Sequence, residues 1–187
     1  MNKIGIIGAG VMGTDLAQMT AESGFSVRLY DSSEKKLKDA LSTIESRLHR
    51  YEKKQRITSA ERESIIAQIK TVNNISEFSD SDIILEAVYE DLSVKKEVFA
   101  QLDKTCSPAS VLASITSSIS ITEIASATVR PESVIGLHFL NPARVMPLVE
   151  IVPGFSTTRE TVEMSKSFLK KLKKDFIEAK DYPGFYL

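Results

Sequence analysis

The chain has two histidines in 187 residues, and their surroundings differ. His49 lies in a long polar stretch where no other reactive group converges, and it reads as a solvent-facing side chain. His138 closes the apolar run Val134-Ile135-Gly136-Leu137-His138-Phe139, the kind of strand end at which an open α/β sheet presents side chains to a ligand crevice. Residues 141–147, Asn-Pro-Ala-Arg-Val-Met-Pro, then break the strand, and a second extended apolar run covers Leu148 to Val152. If these two runs fold back on each other about Arg144, residues equidistant from it face one another, and His138 and Glu150 are such a pair. Cross-strand partners on one face have β-carbons about 5 Å apart, within reach of a carboxylate–imidazole hydrogen bond. That bond fixes the ring tautomer, leaves the second nitrogen as acceptor and stabilises the imidazolium formed when a proton is taken, as in the base of a dehydrogenase. A strand-end histidine beside an unrelated edge glutamate fits the same letters.

A second constellation opens the chain. Residues 4–13 run Ile-Gly-Ile-Ile-Gly-Ala-Gly-Val-Met-Gly, an apolar strand leading into glycines spaced G-x-G-x-x-G and then into a helix from about Val11 to Ser23. In the loop Gly8-Ala9-Gly10-Val11-Met12-Gly13, Gly8 allows the tight turn, Gly10 lets a pyrophosphate approach the backbone, and Gly13 lets the helix pack closely. The helix aims its N-terminal N–H groups and positive dipole end at the phosphates. Asp31 ends the next strand, 18 residues beyond Gly13. A carboxylate there accepts from ribose hydroxyls and repels a 2′-phosphate, which favours NAD over NADP, and Ser32 and Ser33 bring no arginine to reverse the choice.

The remaining candidates are weaker. Ser114-Ile115-Thr116-Ser117-Ser118 follows a strand at the same sheet edge, where its hydroxyls can serve a substrate oxygen or the nicotinamide ribose; Ser118 or Ser120 can equally be a helix cap. Cys106 is the only cysteine, so neither a disulfide nor a thiolate metal site forms within one chain. No cluster of His, Asp and Glu has ligand spacing, and Gly-x-Ser-x-Gly is absent, so metal and covalent serine chemistry are disfavoured.

These groups must be held by a scaffold, and the pattern supplies one. Strand candidates at Lys3–Ile7, Ser26–Tyr30, near Lys70–Val72, at Ile83–Glu86, Val111–Ser114 and Val134–Phe139 alternate with helical spacers. This is the signature of an α/β, Rossmann-like doubly wound, mostly parallel sheet covered on both faces. After Pro153-Gly154 a helix is expected over about Thr158 to Lys173 and a last strand near Phe176 to Ala179. Between strands two and three, about 34–69, the stretch is too long for a simple crossover and too polar for core, which predicts a projecting helical hairpin with Thr58 or Ser59 capping its second helix and Glu61 behind. Its tip carries Arg47, Arg50, Lys53, Lys54 and Arg56, either a solvated face or a grip on a phosphate-bearing substrate.

Bulk properties narrow the class. With 42% hydrophobic and 26% charged residues the chain suits one α/β domain, 1–187. A net charge of -1 gives no reason to expect nucleic acid or a membrane surface as partner. The first residues enter a core strand without a basic and apolar leader, and no run reaches bilayer-spanning length, so a cytoplasmic protein is expected.

Four segments together resemble the NAD-binding domain of the L-3-hydroxyacyl-CoA dehydrogenase family: residues 8–13, residues 84–97 with Glu90 and Lys95, residues 113–118, and residues 136–150. The resemblance implies hydride transfer between C3 of a 3-hydroxyacyl-CoA and NAD, with His138 as general base and Glu150 as its orienting carboxylate. It also implies Ser117 and Asn141 as hydrogen-bonding groups near the substrate oxygen and nicotinamide, Glu90 and Lys95 around the cofactor, and Lys54 against a coenzyme A phosphate. Ile115 stands where relatives usually carry asparagine. The family continues beyond its Pro-Gly-Phe segment into a helical domain that closes the acyl pocket, so a helical partner domain or chain is expected to complete the site. An acyl carrier protein in place of coenzyme A, or a non-catalytic NAD(H)-binding module, are the alternatives.

Overall fold

The computed structural model describes residues 1–185; Tyr186 and Leu187, the last two positions of the single domain read from the sequence, lie outside them. Eight strands form one sheet: β1 Lys3–Ile7, β2 Ser26–Tyr30, β3 Ile69–Thr71, β4 Ile83–Glu86, β5 Val111–Ser114, β6 Val134–Phe139, β7 Leu148–Pro153 and β8 Asp175–Glu178. The order is β3-β2-β1-β4-β5-β6-β7-β8. All neighbours pair in parallel except β6 and β7, which are antiparallel. The chain winds outward from β1 in one direction and returns to continue from β4 in the other. The strand order therefore switches between β1 and β4, and a crevice opens there beyond the carboxyl ends of the strands.

Helices cover both faces. On one lie α1 Val11–Glu22, α2 Glu34–Lys53 and α6 Arg159–Lys171, and on the other α4 Leu92–Thr105 and α5 Ile121–Ala125, with α3 Ser59–Ala67 closing the loop from α2 to β3. Side chains on a strand alternate between faces. In β4, β5, β6 and β7, Leu85, Ala113, Leu137 and Ile151 join the core under α1 and α6, while Ile84, Leu112, Val134 and Val152 join that under α4 and α5. By the same alternation Glu86, Ser114, His138 and Glu150 all belong to the α4/α5 side. Four polar side chains at strand ends thus form one layer.

The hairpin departs in part from expectation. Thr58 caps α3 and makes the reciprocal capping box with Glu61, as the sequence predicts. Yet α2 does not project as a purely polar rod: Leu37, Ala40, Ile44 and Leu48 are buried and join the α1 core, whereas α3 has no buried residue. Spacing of three and four residues puts these four positions on a single helix face, a stripe obscured by the charge of the other face.

Candidate active site

At the first loop, backbone geometry does the work. Gly8 has φ of +101°, and a β-carbon there would sit 2.4 Å from the Ala87 carbonyl oxygen. One on Gly13 would fall 1.7 Å from the Gly8 oxygen, so α1 can close onto the loop only through glycine. Gly10 is different, because a β-carbon there would meet nothing within 4 Å. Its bareness serves no contact inside the protein and leaves the backbone open to a ligand. No side chain caps α1 and no acidic residue occupies its first turn, which keeps its positive end available to an anion. Ala9 and Met12 pack into or against the core and Val11 is exposed. Asp31 ties the loop to β2: its Oδ2 accepts from the Ala9 N–H at 2.8 Å and its Oδ1 from Ser33 N–H at 2.9 Å. Each oxygen keeps a second lone pair for a ribose hydroxyl. These residues fit the adenosine and pyrophosphate parts of NAD.

The other end of the crevice is built from side chains. β6 and β7 pair His138 with Glu150, the register required by folding about Arg144. His138 Nδ1 lies 2.6 Å from Glu150 Oε2, with the histidine 7% exposed and the glutamate fully buried. An ionised carboxylate only accepts, so Nδ1 carries the hydrogen and Nε2 offers its lone pair. The imidazole can therefore take a proton at Nε2 while the carboxylate offsets the charge that results.

Beside this pair runs a buried network that sequence reading did not assemble. Lys95 is 1% exposed and its Nζ sits 2.8 Å from Glu86 Oε1 and 3.2 Å from Glu90 Oε2. Glu86, fully buried, also accepts from Ser114 Oγ at 2.7 Å and from the Val88 N–H at 2.8 Å. Glu90 accepts from the Thr116 hydroxyl, from Ser117 N–H at 3.2 Å and from Ser118 Oγ at 3.3 Å. Burial pushes the Glu90 carboxyl up, but the Thr116 hydroxyl, Lys95 and the Ser117 N–H outweigh it and hold the group below the usual glutamate range. Ser117 thereby hangs from a loop fixed by the residues expected to border the cofactor. Ser120, not Ser118, caps α5. Glu86 ends an apolar strand and lies directly opposite Ser114 in the parallel register, a pairing that appears only once β4 and β5 are side by side.

Asn141 is exposed in the turn after β6. That turn is held from two sides. Arg144 donates to the Tyr51 hydroxyl on α2 at 2.7 Å and lies 3.5 Å from the buried Asp15 of α1, which also binds Arg47 at 2.6 Å. Lys174, 8% exposed, donates to the Ala143 and Met146 carbonyls at 2.7 Å each, and burial lowers its pKa. Lys54 is the exposed C-cap of α2, and among the described residues no bond joins it to the rest of the set. His49 is exposed and pairs with Glu52. Cys106 is buried, which pushes its thiol up to about 11.

Residues 3–182 match the model of the 3-hydroxyacyl-CoA dehydrogenase NAD binding domain. A probable 3-hydroxybutyryl-CoA dehydrogenase of Bacillus subtilis is 40% identical over 99% of this chain, and a 3-hydroxybutyryl-CoA dehydrogenase of Bradyrhizobium diazoefficiens is 39% identical over 99%. The chain spans 64% and 63% of the lengths of these relatives. The crystal structure of (S)-3-hydroxybutyryl-CoA dehydrogenase from Ralstonia eutropha superposes with a TM-score of 0.96 at 36% identity, over all of this chain and 66% of that one. Among the described residues no helix is long and apolar enough to cross a membrane.

Proposed function

Because the chain belongs to the 3-hydroxyacyl-CoA dehydrogenase family as an NAD-binding domain, we propose that it interconverts (S)-3-hydroxyacyl-CoA and 3-ketoacyl-CoA, with His138 as general base and Glu150 as its orienting carboxylate. Bound NAD supplies the hydride acceptor at C4 of the nicotinamide. His138 Nε2 takes the proton of the C3 hydroxyl as hydride leaves C3, and in reverse donates it to the ketone oxygen. Glu150 holds the ring in the tautomer that permits both directions. Ser117 and Asn141 hydrogen-bond the substrate oxygen and the nicotinamide end of the cofactor. Gly8 to Gly13 and Asp31 take the pyrophosphate and ribose, Glu90 borders the cofactor with the buried Lys95 holding that carboxylate from behind, and Lys54 meets a phosphate of coenzyme A.

The observation that carries this reading is the buried 2.6 Å contact between His138 and Glu150, placed at the crevice edge beside the Ser/Thr loop. A binding module has no need of a tautomer-fixed imidazole there. A helical partner domain that closes the acyl pocket is part of the proposal. The test follows NADH oxidation with acetoacetyl-CoA and with the same acyl group on a carrier protein, each with and without a helical domain from a relative. Reduction of the ketone of acetoacetyl-CoA supports the proposal, preference for the carrier moves the substrate, and NADH binding without reduction in any arm leaves a binding module.

A further inference from the structure

The segment after β8 reaches both the start of α5, which follows the Ser117 loop, and the His138 ring. Asp181 meets the start of α5, far from it in sequence. Its Oδ1 accepts from the Ile121 N–H at 2.8 Å, and its Oδ2 from the Thr122 N–H at 2.8 Å, Thr122 Oγ1 at 2.6 Å and Ser120 Oγ at 3.0 Å. One carboxylate thus gathers four donors, two of them amides that a helix start leaves without internal partners. α5 is a single short helix, and it can lie close to β6 because Gly136 has no β-carbon: one added there would be 2.8 Å from Ile121 Cδ1.

Upstream of α5 lies the loop that carries Ser117. Glu90 grips its near end through Thr116, Ser117 and Ser118. Thr116 Oγ1 accepts from the Ile119 N–H at 3.0 Å, which tightens the turn between the two grips. Asp181 grips the far end. Four residues further on, the Phe185 ring lies 5.7 Å from the His138 imidazole, centroid to centroid, at 56°, and Phe185 packs against the core under α4 and α5. An aromatic ring at that distance makes direct contact, and it covers one side of an imidazole that must keep its orientation through proton transfer.

We propose that Asp181 is a positioning residue of the hydride-transfer site: by clamping the start of α5 it fixes the Ser117 loop and seats Phe185 on His138. This rests on the catalytic reading of His138 given above. Neither Asp181 nor Phe185 exchanges a proton with substrate. Their effect is to narrow the orientations open to groups that do, where small misplacements cost large factors in rate.

The experiment compares the wild-type chain with Asp181→Asn and Phe185→Leu by three measurements: NADH affinity, the rate of acetoacetyl-CoA reduction, and the NMR signals of the His138 ring followed through a pH titration. The Asn side chain keeps the size but loses one acceptor, and the Leu variant leaves the clamp intact. Both are expected to shift the His138 ring signals in the same direction, because both remove the aromatic ring from the imidazole. Both are expected to lower kcat about tenfold while NADH affinity stays within about twofold of wild type. If Asp181→Asn lowers the melting temperature but leaves the His138 signals and kcat as in wild type, the clamp is structural and the proposal is overturned. If Phe185→Leu shifts the His138 signals and Asp181→Asn does not, the link between them is overturned. A wild-type chain that reduces no acetoacetyl-CoA even with a helical domain supplied removes the catalytic reading, while the His138 signals still decide whether the clamp seats Phe185.

Discussion

The two ends of the crevice are made of different material. The glycine loop is almost wholly backbone, and its demands fall on single letters: Gly8 and Gly13 are dictated by the chain's own packing, and Gly10 by the space left for a ligand. The His138 end is made of side chains wired together, Glu150 to His138, Glu86 to Lys95 and Ser114, Glu90 to the Ser117 loop. A backbone site binds by shape and dipole and tolerates change in what surrounds it. A wired site depends on every member, since each buried charge left alone incurs a desolvation cost.

That contrast predicts how the ends break. Glu150→Gln is expected to have the largest effect, because an amide can present its NH2 to Nδ1 and reverse the tautomer; acetoacetyl-CoA reduction should fall on the order of 10²–10⁴-fold with NADH affinity unchanged, in a steady-state assay beside a binding titration. Lys95→Met strands Glu86 in a fully buried position, and denaturant unfolding should show a loss of about 3–5 kcal/mol. Paired substitutions in the glycine loop test its half of the contrast. Gly13→Ala forces a β-carbon onto a carbonyl oxygen and should cost about 1–3 kcal/mol or more of stability. Gly10→Ala should leave the melting temperature almost unchanged and weaken NADH binding at least about tenfold, roughly 1.4 kcal/mol. Equal melting temperatures for the two variants would erase the distinction between a glycine kept for packing and one kept for a ligand.

The smallest effect concerns pH. The Glu90 carboxyl lies below its ordinary range, so its contribution to stability is fully present above the unfolded value of about 4.3 and is lost as pH falls through the lower folded value. The stability gap between wild type and Glu90→Gln should therefore be widest near neutral pH and close on acidification. Unfolding curves recorded at several pH values check it, and a gap that widens in acid would contradict it.

The two ends also differed in how well they could be read beforehand. The glycine loop, the place of Asp31 at a strand end and the run of strands along the chain were legible because each rests on local spacing or on an alternating pattern; the order of those strands in the sheet was not read from the sequence. The pairing of His138 with Glu150 was legible as well, since two apolar runs flank one connection, residues 140–147, and folding them back about Arg144 sets the antiparallel register. The Glu86–Lys95 pair was not, because a glutamate ending a strand looks like any strand-end polar residue until β5 brings Ser114 alongside it. Asp15 with Arg144 and Tyr51, and Asp181 with α5, join segments distant in sequence, and no local pattern announces them. The buried face of α2 could have been found, since Leu37, Ala40, Ile44 and Leu48 recur at helical spacing; the density of charge on the opposite face concealed it.

In the proposed mechanism His138 moves the proton that accompanies hydride transfer. The direct measurement uses NADH deuterated at C4 with acetoacetyl-CoA, comparing wild type and His138→Gln for the rate at which deuterium appears at C3 of the hydroxyacyl product, with NADH affinity recorded for both. Transfer to C3 is expected in the wild type, slowed at least about 100-fold in the variant, with affinity unchanged. Equal rates of deuterium transfer in the two proteins would contradict it.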